Sequence, residues 1–145
     1  MSQQRFMTAI MCDDVRREEG NKLSYMGIYS SNLMVPGFPF ALPKLCFVMS
    51  VISPAQEAPP TSLTFRLLRD EEVLAEIPIS EDALNSLHQQ TSDTDNPDTK
   101  RLTIGTVMQM FPLQLAGPCV LKARAICDGR ELKGGSWPVD KIAAA

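Results

Sequence analysis

The side chains able to do chemistry are few, and their spacing limits what chemistry is open to them. Nucleophilic catalysis by serine or cysteine needs a histidine oriented by a third group. The chain has one histidine, His88, followed by Gln89 and Gln90, and it reads as a surface position of a helix rather than a general base. No Gly-x-Ser-x-Gly elbow, no phosphate loop ending in Gly-Lys-Ser/Thr and no Gly-x-Gly-x-x-Gly occurs. Asp13 and Asp14 are adjacent, but neighbours on a strand point to opposite faces, so they do not share one substrate. Four cysteines, Cys12, Cys46, Cys119 and Cys127, show no Cys-x-x-Cys spacing. Cys119 and Cys127 stand eight apart on one expected strand, more than about 20 Å by strand rise, and cannot share a zinc ion. Cys12 and Cys46 fit on neighbouring strands, yet two thiolates do not close a metal site, so all four read as structural thiols. Asp93, Asp95 and Asp98 imitate the start of a calcium loop, but Pro97 takes the fifth position, no glycine follows it and Ile104 stands where a bidentate glutamate belongs. No metal and no cofactor is expected, and the chain reads as a non-enzyme.

What remains is a surface. Cys119 to Cys127 and Arg130 to Val139 are joined by Asp128-Gly129, a two-residue link whose type I′ turn takes positive φ twice. With Cys127 opposite Arg130, Leu121, Ala123, Ala125 and Leu132 share the core face. Lys122, Arg124, Ile126, Glu131, Lys133 and Trp137 then share the other. Arg124 faces Lys133, a like-charge pair that weakens the sheet and that an anionic partner would offset. Lys122, Arg124, Lys133 and Trp137 are therefore the candidate partner-binding residues. The plainer reading of the same set is a solvated cationic face partly neutralised by Glu131, with Trp137 tucked under a neighbouring loop. A bulge at Gly134-Gly135 would also shift Trp137.

The elements that must carry this surface follow from hydrophobic periodicity. The chain has 145 residues, a 44% hydrophobic fraction and 14 Lys+Arg against 17 Asp+Glu, a net charge of −3. That length suits one domain, expected over 1–142, which buries about 70% of the surface its unfolded chain exposes. Collagen-like, coiled-coil and wholly disordered classes are excluded. Overall charge gives no drive toward nucleic acid, although a local basic stripe stays open. No apolar run approaches about 18 residues and no leader pattern opens the chain, so a cytoplasmic location with reduced thiols is expected. Ala143-Ala144-Ala145 carries no pattern and reads as a cloning scar.

From Arg5 to Asp14 both alternating faces are apolar, as in a strand that is central or covered on its second face. Gly20-Asn21 tolerates positive φ and reverses the chain into Lys22 to Ser30, a hairpin. Val35 to Pro43 holds three prolines and Gly37 and reads as a connector that packs Phe38 and Phe40 under a loop. Leu45 to Ile52 is a core strand, and Ser62 to Arg69 with Val73 to Ile79 is a second hairpin. Ser80 caps a short helix with Glu81 and Asp82 in its first turn. Thr91 to Thr99 has no apolar residue and is expected as a mobile loop. Leu102 to Phe111 is another strand, ended by Pro112.

Ala9-Ile10-Met11-Cys12-Asp13-Asp14-Val15, followed by Gly20-Asn21-Lys22-Leu23-Ser24 and Gly27-Ile28-Tyr29, resembles the start of an uncharacterised family of small bacterial proteins, a domain of unknown function. The resemblance implies a bacterial origin and a compact β-rich domain and brings no catalytic residues with it. Gly117-Pro118-Cys119-Val120-Leu121, closing at Asp128-Gly129, resembles the last hairpin of immunoglobulin-like domains, with Gly-Pro in place of Pro-Gly and without the Cys-Trp-Cys spacing of antibody domains. The expected fold is all-β: a two-layer antiparallel sandwich, immunoglobulin-like, of about eight strands with one short helix near 81–90. The expected function is a non-enzymatic binding module that contacts a protein, itself or another, through a sheet edge or a loop cluster. The alternative is an anionic-ligand or nucleic-acid binder that uses the basic face of the last hairpin, with Trp137 or Tyr29 as stacking platforms. No membrane contact is expected.

Overall fold

The computed structural model describes residues 4–54, 57–92 and 101–143, with side chains in the helix as far as Leu87. The His88 side chain, the calcium-like aspartates and the polar tract after Ser92 lie outside these residues. The described residues contain eleven strands and one helix: β1 (Phe6–Glu18), β2 (Lys22–Tyr29), β3 (Leu33–Val35), β4 (Phe40–Leu42), β5 (Leu45–Pro54), β6 (Leu63–Arg69), β7 (Glu72–Ile79), α1 (Glu81–Ser92), β8 (Arg101–Met110), β9 (Leu113–Leu115), β10 (Cys119–Cys127) and β11 (Arg130–Lys141). The strands expected from alternation are all present. β3, β4 and β9 are three-residue additions in stretches where proline and glycine obscure the pattern; β4 lies inside the segment expected as a connector.

The strands pair as β2-β1-β5-β8 and as β3-β11-β10-β6-β7, with β4-β9 as a small ladder of its own. All pairings are antiparallel except β3 beside β11, which is parallel. The fold is thus an all-β sandwich with one short helix. Met7 and Met11 of β1, Phe47, Met49 and Val51 of β5, and Ile104 and Met108 of β8 are buried on the inner face of the first sheet. Phe65, Leu67, Leu121, Ala123 and Ala125 meet them from the second. This continuous apolar interior, shed from water at about 25 cal/mol per Å², is what holds the layers together. Helix α1 begins where Ser80 Oγ accepts the Ala83 N–H at 3.2 Å, and its Leu84 joins the core beside β8.

β1 is central, between β2 and β5, and its second face is exposed at Phe6 and Thr8 and closed only at Cys12. Beyond Cys12 the β1–β2 hairpin leaves the sheet. The rung between Asp13 and Gly27 is missing from an otherwise regular ladder, and Gly27 has φ 69°, a left-handed conformation that glycine adopts without cost. Arg17, Leu23 and Tyr25 of the far half then line one cleft with Val48, Ser50, Gly105 and Val107. The hairpin therefore bends at Gly27 and doubles back across the outward face of β5 and β8.

Candidate functional site

The Asp-Gly turn forms as its residues require, with Asp128 at φ 49° and Gly129 at φ 80° and Cys127 opposite Arg130. From there Arg124 stands opposite Lys133 and Ile126 opposite Glu131, while Leu121, Ala123, Ala125 and Leu132 are buried on the inner face. Trp137 departs from the expected set. Ala123 pairs with Gly135 and Arg124 with Lys133, so Gly134 is an extra residue, alternation restarts one position later, and Trp137 comes opposite Leu121 on the inner face. It is 5% exposed and meets Phe47 edge-on, ring centroids 5.8 Å apart. The expectation that Trp137 stands beside the lysines is corrected: the bulge turns it into the core. A Cβ at Gly134 would come within 2.9 Å of Met7 Cε and 3.0 Å of Ala9 Cβ, so the bulge and the close approach of β1 are fitted to each other.

The three cations of the expected face have different surroundings. Lys122 Nζ donates to Glu71 Oε1 at 3.0 Å. Arg124 is buried, and its guanidinium donates to Ala123 O at 2.9 Å, Gly135 O at 3.0 Å and Ser136 Oγ at 3.2 Å, fastening backbone at the bulge. Lys133 is exposed. Sequence reasoning does not find Arg66, which stands opposite Arg124 from β6. Arg66, Arg124 and Lys133 therefore make a cationic row across three strands. Glu76 ends it, its Oε1 2.7 Å from Arg66 Nε but off the N–H direction. Only the pairing of β6 with β10 reveals this row, and no local turn specifies that pairing.

A second surface is the edge formed by β2, which has no strand on its far side among the described residues. Leu23, Met26 and Ile28 of this edge are 39%, 46% and 56% exposed. An open edge presents unpaired N–H and C=O groups, and charge or proline normally blunts it; here Lys22 alone supplies charge. A cleft of about 330 Å³ opens beside it, lined by Ile28, Ser30, Gly134, Ser136 and Trp137 among others.

A third cluster lies at the bend of the first hairpin. Cys12 pairs with Cys46 across β1 and β5; both sit on the outward face and both are fully buried. Cys12 Sγ donates to Asp14 O at 3.5 Å and Cys46 Sγ to Asp13 O at 3.7 Å. Burial pushes both thiols up. The Lys44 ammonium donates to Asp14 Oδ1 at 2.7 Å and, with the Val15 N–H, holds that carboxyl below its ordinary value. Tyr29 Oη donates to Asp13 Oδ1 at 2.5 Å. Burial first, and then this bond, pushes its hydroxyl up to about 12. Asp13 and Asp14 thus serve different partners. No group of three or more metal-ligating side chains occurs among the described residues, and no described helix is long and apolar enough to cross a membrane.

Comparison with curated proteins and with solved structures finds no match. Comparison with protein families finds one over residues 7–139, which takes in both sheets and agrees with the likeness of the first hairpin to an uncharacterised family. The chain belongs to the family described as Family of unknown function (DUF6941).

Proposed function

We propose that this protein is a non-enzymatic interaction module whose partner, another copy or a different protein, docks along the free edge of β2. The observation that carries this reading is an eight-residue edge strand with Met26 and Ile28 exposed two positions apart, and with Leu23 exposed where the edge borders the cleft over β5 and β8. Such an edge adds a partner strand through main-chain hydrogen bonds, and its side chains supply selectivity. A bacterial origin, a cytoplasmic setting and an immunoglobulin-like arrangement belong to the same reading; four free cysteines suit a reducing compartment. Ile28→Lys tests it, because a charge on an edge blocks strand addition without touching the core. Sedimentation of the native and variant proteins, with affinity capture from the native host, should show association in the native protein alone while circular dichroism stays the same. Identical sedimentation and an identical captured set would reject the reading.

A second reading, binding of an anionic ligand or nucleic acid by the last hairpin, rests on the row Arg66, Arg124 and Lys133. Salt separates the two in the same capture experiment. A phosphate-rich ligand is lost steeply as salt rises, whereas a partner held on an apolar edge is retained.

A further inference from the structure

We propose that Cys12 and Cys46 are a modification site: a cross-strand dithiol that a low-molecular-weight disulfide, such as glutathione disulfide, converts into an intramolecular disulfide. The two residues are directly opposite in the antiparallel β1–β5 ladder, at its last rung. Opposed residues there have Cα atoms about 4.5–5.5 Å apart, inside the range of about 4.4–6.8 Å that a disulfide spans. They lie on the outward face, outside the core between the sheets, and backbone carbonyls of the hairpin's bend, Asp13 O and Asp14 O, accept from their thiols. Cys119 and Cys127 do not compete, because they lie at opposite ends of β10.

Access runs through the cover. The bend is a weak joint: its rung at Asp13 and Gly27 is missing, and it is tied down by the Lys44–Asp14 pair, with both side chains partly exposed, and by the Tyr29–Asp13 bond. Segments held by few, solvent-accessible contacts open well below the free energy of global unfolding. Once open, Cys46, which has Lys44 beside it, loses its proton and its thiolate attacks one sulfur of glutathione disulfide. One glutathione thiolate leaves, and a mixed disulfide remains on Cys46. Cys12 then loses its proton and attacks the Cys46 sulfur, displacing the second glutathione. Two protein S–H bonds become one protein S–S bond, the reagent S–S bond becomes two S–H bonds, and two electrons pass from protein to reagent.

The test treats the full chain, natively folded, with glutathione disulfide, then denatures, alkylates, digests and weighs the peptides. The expected result is a bridged pair of peptides carrying Cys12 and Cys46, lighter by two hydrogens than their sum, with Cys119 and Cys127 alkylated and the bridge reversed by dithiothreitol. Tyr29→Phe removes one tie on the bend while leaving both thiols in place, and should speed bridging several-fold. Four alkylated cysteines in both proteins, a stable glutathione adduct without a bridge, or a bridge to Cys119 or Cys127 would each overturn the proposal.

Discussion

Asp128→Asn isolates the charge of a single carboxylate, because asparagine keeps the shape and tolerates the left-handed φ of 49° at this position. Asp128 Oδ1 accepts from Thr61 N at 2.9 Å, Thr61 Oγ1 at 2.8 Å and Ser62 N at 2.9 Å, while Oδ2 lies 3.5 Å from Arg5 Nη1. The turn of the last hairpin is thereby tied to the entry of β6 and to a buried arginine that also donates to Ser53 Oγ at 2.7 Å. Hydrogen bonds to a charged acceptor contribute about 1.5–3 kcal/mol and neutral ones about 0.5–1.5 kcal/mol. The carboxylate is 35% exposed, so water screens much of the difference, and loss of the charge should cost about 1–2 kcal/mol in total. In a domain of this length that lowers Tm by about 3–6 °C. The pH dependence has a definite sign. Burial pushes the Asp128 carboxyl up, but the bonds from the Thr61 hydroxyl and the Ser62 and Thr61 amides, with Arg5 alongside, outweigh it and leave the carboxyl below its ordinary value. A depressed folded-state value gives stability that is present above the unfolded value of about 3.9 and is lost as pH falls through the folded one. Urea midpoints measured from about pH 7 to about pH 3 should fall less steeply in the variant and converge with the native protein at the acid end. Equal midpoints at neutral pH with parallel acid slopes would refute the reasoning.

Two further substitutions probe the bulge and the bend. Trp137→Ala empties a core site against Phe47 and should cost about 3–5 kcal/mol; in the native protein the single tryptophan should resist quenching by iodide, and ready quenching would place it outside the core. Gly27→Ala forces a Cβ into φ 69° and against the Asp13 carboxylate, so it should destabilise by about 1–2 kcal/mol or more. Adding Asp13→Ala should return part of that loss, and strictly additive effects would mean that the carboxylate does not sit over Gly27.

Much of the architecture is legible residue by residue. Alternation marks the long strands, Gly20-Asn21 and Asp128-Gly129 mark the turns, Ser80 marks the helix start, and the Asp-Gly turn sets Arg124 opposite Lys133. β3, β4 and β9 escape because three residues are too short a window for a period of two, and prolines interrupt the flanks. The candidate surfaces are legible only in part. Lys122, Arg124 and Lys133 are found by counting back from the turn, but the count fails at Gly134, where an extra residue reverses the side on which Trp137 falls. Arg66 escapes altogether.

The order of residues by itself determines which segments extend, where they reverse and which face of each is apolar, because these depend on backbone sterics and on neighbours a few positions away. It does not determine which strands lie side by side, since every strand offers the same row of main-chain donors and acceptors to any other. Packing in three dimensions decided that β6 lies along β10, that the first hairpin folds over its own sheet to cover Cys12 and Cys46, and that β2 is left as an open edge. Those outcomes depend on burying the largest apolar area without overlap, a quantity that belongs to the assembled layers and to no single stretch of chain.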